Sequence, residues 1–234
     1  MGKFKKKGTA IIIFSVIAAA TVTAAIVLAG LGKDVDLTGS VSYADEYVYF
    51  GRGKNFSVTV CAGIAEKTFL TDGKATDVAE FCKVTLNILN SAYLKITEFE
   101  CGVDSGGIYA QGKIEKNPVT LEHTAQIAVA DASKIKSVYV KYTNAKSESI
   151  AVENLLQGRL SSRDAFDAAL KIFAKEIKEN IKNRALKREI YIKFVTGYGG
   201  EEPYYWYVAF IAGDSDFWAV LIDAKTGEAD AKRT

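Results

Sequence analysis

His123 is the chain's single histidine, so no site built on two imidazoles can be assembled. As a lone general base it would need a nucleophile beside it, and no G-x-S-x-G elbow occurs. Between Glu122 and Thr124 on a predicted strand it reads as a structural histidine. Cys61, Cys82 and Cys101 occur without a C-x-x-C pair or a Cys/His cluster, which leaves zinc without a ligand set. A Cys61–Cys101 bridge is open to them, and an odd count leaves at least one free thiol. There is no Walker A sequence or dinucleotide fingerprint, because Gly197-Tyr198-Gly199-Gly200 has the wrong spacing. Acids that could form a general acid–base pair sit in loops, at Glu201-Glu202 and at Asp214 and Asp216. Adjacent loop acids are usually solvated, and nothing in the sequence points to the burial that tunes a catalytic carboxyl. The expectation is a protein that is not an enzyme, with no catalytic, cofactor-binding or metal-binding residue and no cofactor. The alternative is a secreted or membrane-anchored hydrolase working through those loop carboxylates.

A different chemistry, molecular contact, is offered by the aromatic run Tyr204-Tyr205-Trp206-Tyr207 with Phe210, Phe217 and Trp218. On a strand, Tyr204, Trp206, Val208 and Phe210 fall on one side, and Tyr205, Tyr207, Ala209 and Ile211 on the other. One side is expected to pack on a helix. The other would expose Tyr205 and Tyr207, together with Trp218, as candidate partner-binding residues for peptide, glycan or protein. The competing reading has both sides covered, the second by the N-terminal domain.

These residues must be positioned by what precedes them. The chain has 234 residues, 49% hydrophobic and 25% charged, enough for a packed core. Lys3, Lys5, Lys6 and Lys7 stand before 23 uncharged residues, Thr9 to Leu31. As a helix that run spans roughly 35 Å, against a hydrocarbon layer of about 30 Å. The lysines hold the N-terminus in the cytoplasm and send the rest outward. This predicts a cytoplasmic tail at 1–8, a single-pass transmembrane helix at 9–31 in contact with membrane lipid, and an extracytoplasmic C-terminus. A cleaved signal peptide, with Ala18-Ala19-Ala20 or Val27-Leu28-Ala29 as the cleavage site, would make the chain secreted. The run exceeds the usual signal core of about 7–15 residues, which favours the anchor. From Lys33 onward 26 positive side chains face 28 negative ones. Nucleic acid is therefore not an expected partner.

Residues 32–55, with scattered acids and glycines, read as a stalk and a first strand. Residues 56–146 read as an N-terminal α+β domain. Phe56, Val58 and Val60 alternate as a strand, and Val78, Cys82, Thr85, Leu86 and Leu89 fall on one face of a helix over 76–92, capped by Asp77. Strands are expected near 93–101, 108–115, 119–130 and 136–143. Residues 147–160 read as a linker with a helical turn. Then Ser161 and Asp164 have capping-box spacing, and Phe166, Ala169, Leu170, Phe173, Ile177 and Ile181 form an apolar helical stripe. Lys171, Lys175, Lys178 and Lys182 occupy its solvated side, where Asp167, Glu176 and Glu179 balance them. Strands follow at Ile190–Phe194, Tyr204–Ile211 and Phe217–Ile222, the last running into the turn Asp223-Ala224-Lys225-Thr226-Gly227.

The stretch Val220-Leu221-Ile222-Asp223-Ala224-Lys225-Thr226-Gly227-Glu228 resembles the PepSY domain family, with Trp206-Tyr207-Val208 as the aromatic start of the preceding strand. Ala229 stands where that family has a larger aliphatic, and the 197–203 loop is longer. The resemblance covers 161–231 and implies a non-catalytic extracytoplasmic module of bacterial membrane and exported proteins, one that modulates a peptidase or another envelope protein or peptide. The expected fold class is α+β: a transmembrane helix, then two units that each pack a helix on an antiparallel sheet, with the PepSY-like unit at 161–234.

Overall fold

The computed structural model describes residues 25–26, 35–68, 73–143, 146–182, 185–197, 200–213 and 215–234. The apolar run at 9–31 lies outside these, apart from Ala25–Ile26, which pair antiparallel with Val35–Asp36. Among the described residues no helix is long and apolar enough to cross a membrane. The fold is mixed α+β, a 13-stranded and largely antiparallel sheet with two helices.

In chain order the sheet contains β1 (Val41–Arg52), β2 (Phe56–Glu66), β3 (Val78–Ile88), β4 (Phe99–Ser105), β5 (Ile108–Lys116), β6 (His123–Gln126), β7 (Ile135–Thr143), β8 (Lys146–Ala151) and β9 (Glu153–Asn154). The helices α1 (Ser162–Ile172) and α2 (Ala174–Asn180) follow, then β10 (Glu189–Thr196), β11 (Tyr204–Ile211), β12 (Phe217–Asp223) and β13 (Ala229–Arg233). The spatial order is β8-β7-β4-β5-β6-β3-β2-β1-β10-β11-β12-β13, with β9 also on β1.

Three expectations are corrected here. The segment read as a stalk is β1, the strand that joins the halves. It pairs antiparallel with β2 and parallel with β10, setting Tyr43 opposite Tyr191 and Ala44 opposite Ile192. The helix expected over 76–92 is the strand β3. Its buried residues are Cys82, Val84 and Leu86, every second position, and Val84 was off the helical face counted from sequence. β-Branched and aromatic content (Val78, Phe81, Val84, Thr85, Ile88) suits a half-buried pleated surface, and pairing with β2 decides the matter. Asp77 is no helix cap; its backbone is left-handed, at φ 51°. The linker at 147–160 supplies β8 and β9. Among the described residues the first half therefore holds no α-helix, and the helices pack on the sheet of the second half.

Two cores result. In the first half β9 returns to pair with Tyr49 and Phe50 of β1. Phe56, Val58, Val60 and Ala62 of β2 meet Cys82, Val84 and Leu86 of β3 and Cys101, Val103, Val138 and Val140 from β4 and β7. In the second half α1 behaves as its spacing predicts. Ser161 Oγ accepts from Asp164 N–H, the Asp164 carboxylate accepts from Ser161 N–H, and Phe166, Ala169 and Leu170 are buried. With Phe173 and Ile177 they cover Ile190, Ile192, Phe194, Trp206, Val208 and Phe210 of β10 and β11. The turn after β12 also forms as read. Asp223 Oδ1 accepts from Lys225 N–H at 2.8 Å and Thr226 N–H at 2.7 Å, and Gly227 takes φ 77°.

Candidate functional site

Alternation along β11 splits the aromatic run. Trp206 is fully buried under the helices, with its indole N–H donating to Leu160 O at 3.0 Å. Tyr205 and Tyr207 point to the opposite side and are half-buried. Tyr204 stacks on Phe194, carries the Arg159 guanidinium 4.4 Å above its ring, and donates to Gly200 O. Trp218 departs from its expected place on the outer side. It pairs with Phe210 across the β11–β12 ladder, stacks on Phe173 at 6.0 Å, and lies under the Arg188 guanidinium at 3.9 Å. Only 7% of it is exposed, because it belongs to the helix-covered core.

Strand register assembles the outer side. Tyr207 stands between Leu221 of β12 and Lys193 of β10, while Tyr205 stands between Asp223 and Val195. Tyr191 of β10 stacks on Tyr43 of β1 at 4.4 Å, and Tyr43 stacks on Phe81 of β3 at 5.2 Å. A band of half-buried rings thus crosses from β3 to β11. Both helices pack on the other side of β10 and β11, with Trp206 and Phe210.

Beneath the band lies Asp45, with none of its surface exposed. The parallel pairing of β1 with β10 ends at Ala44 opposite Ile192, and β1 bulges between Asp45 and Tyr47. The Phe194 N–H, which the departing strand would otherwise have paired, donates to Asp45 Oδ2 at 3.0 Å. Tyr43 Oη donates to Oδ1 at 2.7 Å. Burial raises the Asp45 pKa; the two hydrogen bonds, then the charges of Lys193 and Lys83, oppose the shift without cancelling it. Burial also raises the Tyr43 hydroxyl, and lifts Tyr191 to about 12. The bulge requires a glycine opposite. A Cβ on Gly63 would lie 2.0 Å from Ala44 O.

The histidine, the cysteines and the loop acids are not brought together among the described residues. Burial pushes the thiols of Cys61 and Cys101 to about 12 and of Cys82 to about 11, so none is a nucleophile near neutral pH. All three are free, and no Cys61–Cys101 bridge forms. Glu201 faces Arg52 at 4.0 Å, Glu202 pairs with Arg159 at 3.1 Å, and Asp216 pairs with Arg188 at 2.8 Å; Asp214 lies outside the described residues. His123 lines a shallow cleft of about 300 Å³ with Leu86, Ile88, Leu94 and Leu121, edge-on to the Phe99 ring. Its pKa is lowered, first by burial and then by Lys116. Among the described residues no three His, Cys, Asp or Glu side chains gather as a metal site would require. Asp45 and Tyr43 escaped sequence reading because their segment reads as a stalk, and Tyr191, on an expected strand, carries no sign of its parallel partner. The one available signal was an acid two residues from an aromatic on either side, Asp45 between Tyr43 and Tyr47.

Compared with known proteins, the chain matches no family model, no curated protein and no solved structure.

Proposed function

We propose that the protein is a membrane-anchored, extracytoplasmic module that binds or regulates an envelope protein or peptide without catalysing a reaction. In this reading the C-terminal unit at 161–231 is PepSY-like and a peptidase is one class of partner. The apolar run at 9–31 after four lysines supports the anchor and its orientation. The observation that carries the binding role is the band of half-buried rings, Tyr43, Tyr191, Tyr207 and Tyr205, on the sheet side away from the helices. Tyrosine suits contact because a rigid ring supplies area at little rotamer cost while its hydroxyl stays wet. The loop carboxylates, engaged by Arg52, Arg159 and Arg188, give the hydrolase alternative no support.

The test is crosslinking of the full chain in membranes, followed by purification and identification of what is attached. The Tyr205→Ala, Tyr207→Ala double variant should weaken partner capture about 30-fold, the loss of roughly 2 kcal/mol at a contact centre. Capture unchanged by the double variant would sink this face as the contact surface.

A further inference from the structure

We propose that a second face of the protein, formed by β8, β7, β4 and β5, binds an uncharged polysaccharide through Tyr109 and Tyr139. The inference stands apart from the ring band on β10 and β11, since it uses different strands and a different ligand. Among the described tyrosines these two are the most exposed, at 68% and 41%, and neither contacts another described ring.

Register places them. In these strands Cys101, Val103, Val138 and Val140 point into the core, so the residues between them form the outer surface. Across the sheet, Ser149, Tyr139, Gly102 and Gln111 form one row; Ala151, Ser137, Asp104 and Tyr109 form the next. Tyr109 and Tyr139 are therefore two strands and two residues apart, roughly 12 Å between their Cα atoms from strand spacing and rise. On the strand between them, Gly102 lies beside Tyr139 and is itself buried, and Asp104 lies beside Tyr109 with its carboxylate accepting from Gly107 N–H. The interval between Tyr109 and Tyr139 lets two rings meet different sugars of one chain.

The chemistry of the face selects the ligand. A pyranose offers C–H groups on its flat side and hydroxyls round its rim. The C–H groups meet the negative face of an aromatic ring, and the hydroxyls need short polar partners. Ser137, Ser147, Ser149 and Gln111 stand beside the two rings. The charges on this face are balanced within it. Lys141 pairs with Glu100 at 2.9 Å, Lys113 stands opposite Glu100, and Asp104 is engaged by Gly107 N–H at 2.7 Å. A surface whose charges already answer one another complements a neutral polymer better than an anionic one, which would have to displace Glu100 from Lys141.

The experiment is co-sedimentation of the full chain with insoluble chitin and cellulose, alongside the anionic polymer alginate immobilised on beads. Sedimentation with at least one neutral polymer is expected, with little change between low and high salt because no ionic contact is involved. The Tyr109→Ala, Tyr139→Ala variant should bind at least tenfold more weakly while keeping a cooperative melt, since Tyr109 is mostly in water and Tyr139 is 41% exposed. A Gly102→Glu variant, whose Cβ makes only ordinary contacts at 3.4 Å to Ala110 O and 3.6 Å to Gln111 Cγ, should also lose binding, because its side chain and charge would stand beside Tyr139. Failure to bind either neutral polymer, binding to alginate alone, binding that high salt abolishes, or full binding by the double tyrosine variant would each overturn the proposal.

Discussion

Replacing Asp45 with alanine strips two donors of their acceptor at the point where β1 leaves β10. Phe194 N–H is the costlier loss, because its hydrogen bond is buried on a strand packed under α1. A buried donor left unpaired costs about 1–3 kcal/mol. Tyr43 is only partly buried, so its hydroxyl recovers part of its loss from solvent. Against these stands the relief of no longer burying a carboxyl. The net expectation is about 2 kcal/mol of destabilisation for Asp45→Ala, read as a fall in urea midpoint at unchanged slope. Asp45→Asn should cost under about 1 kcal/mol, because its carbonyl can accept from Phe194 while its amide donates to the Tyr43 oxygen. The two variants also separate by pH. Burial raises the folded-state pKa of Asp45, so the folded chain holds this proton more tightly than the unfolded chain. That contribution is fully present below the unfolded carboxylate value of about 3.9 and is lost as pH rises through the folded value. Wild-type stability should therefore decline relative to Asp45→Asn as pH climbs from about 4, with the curves running parallel above the folded pKa. An Asp45→Ala chain as stable as wild type would refute the role given to this carboxyl. An Asp45→Asn chain with the wild-type pH profile would refute its titration.

Other perturbations test the remaining architecture. Trp206→Ala and Trp218→Ala should each lower stability by about 3–5 kcal/mol in denaturant melts, as both indoles fill the helix-covered core. Gly63→Ala should cost about 1–3 kcal/mol or prevent folding, because its methyl meets the Ala44 carbonyl across the β1 bulge. Ser161→Ala should cost about 1 kcal/mol and fray the start of α1 by amide hydrogen exchange, through loss of the capping box. Leu121→Gly should raise the melting temperature slightly. Leu121 sits at φ 62° with most of its side chain in water, so relief of left-handed strain outweighs the small loss of burial.

What could be read from the residues follows how local each signal is. The helix from Ser161 was legible because cap and stripe agree within one segment: Ser161 with Asp164, then Phe166, Ala169, Leu170 and Phe173. The strands at 190–194, 204–211 and 217–222 were legible for the same reason, as was the turn from Asp223 to Gly227. The run from Val78 to Leu89 was ambiguous in principle, since apolar residues at 82, 84, 86, 88 and 89 satisfy both periods in part. Eleven paired positions against β2, from Glu66 with Val78 to Phe56 with Ile88, choose the strand, and such pairing is invisible in either segment alone.

The site was less legible than the fold because it is made by distant pairing. Tyr205 and Tyr207 could be placed on a common side by alternation, but which side the helices took for Trp218 depended on its register with Phe210. Tyr43 and Tyr191 are separated by most of the chain and meet through the parallel ladder of β1 with β10. Local chemistry gives no sign of that ladder, since β1 reads as scattered acids and glycines. Its explanation lies in Asp45, whose carboxylate takes the Phe194 N–H that the departing strand leaves open and lets β1 serve two cores at once. An acid buried for that purpose looks, in sequence, like one more solvated residue of a stalk.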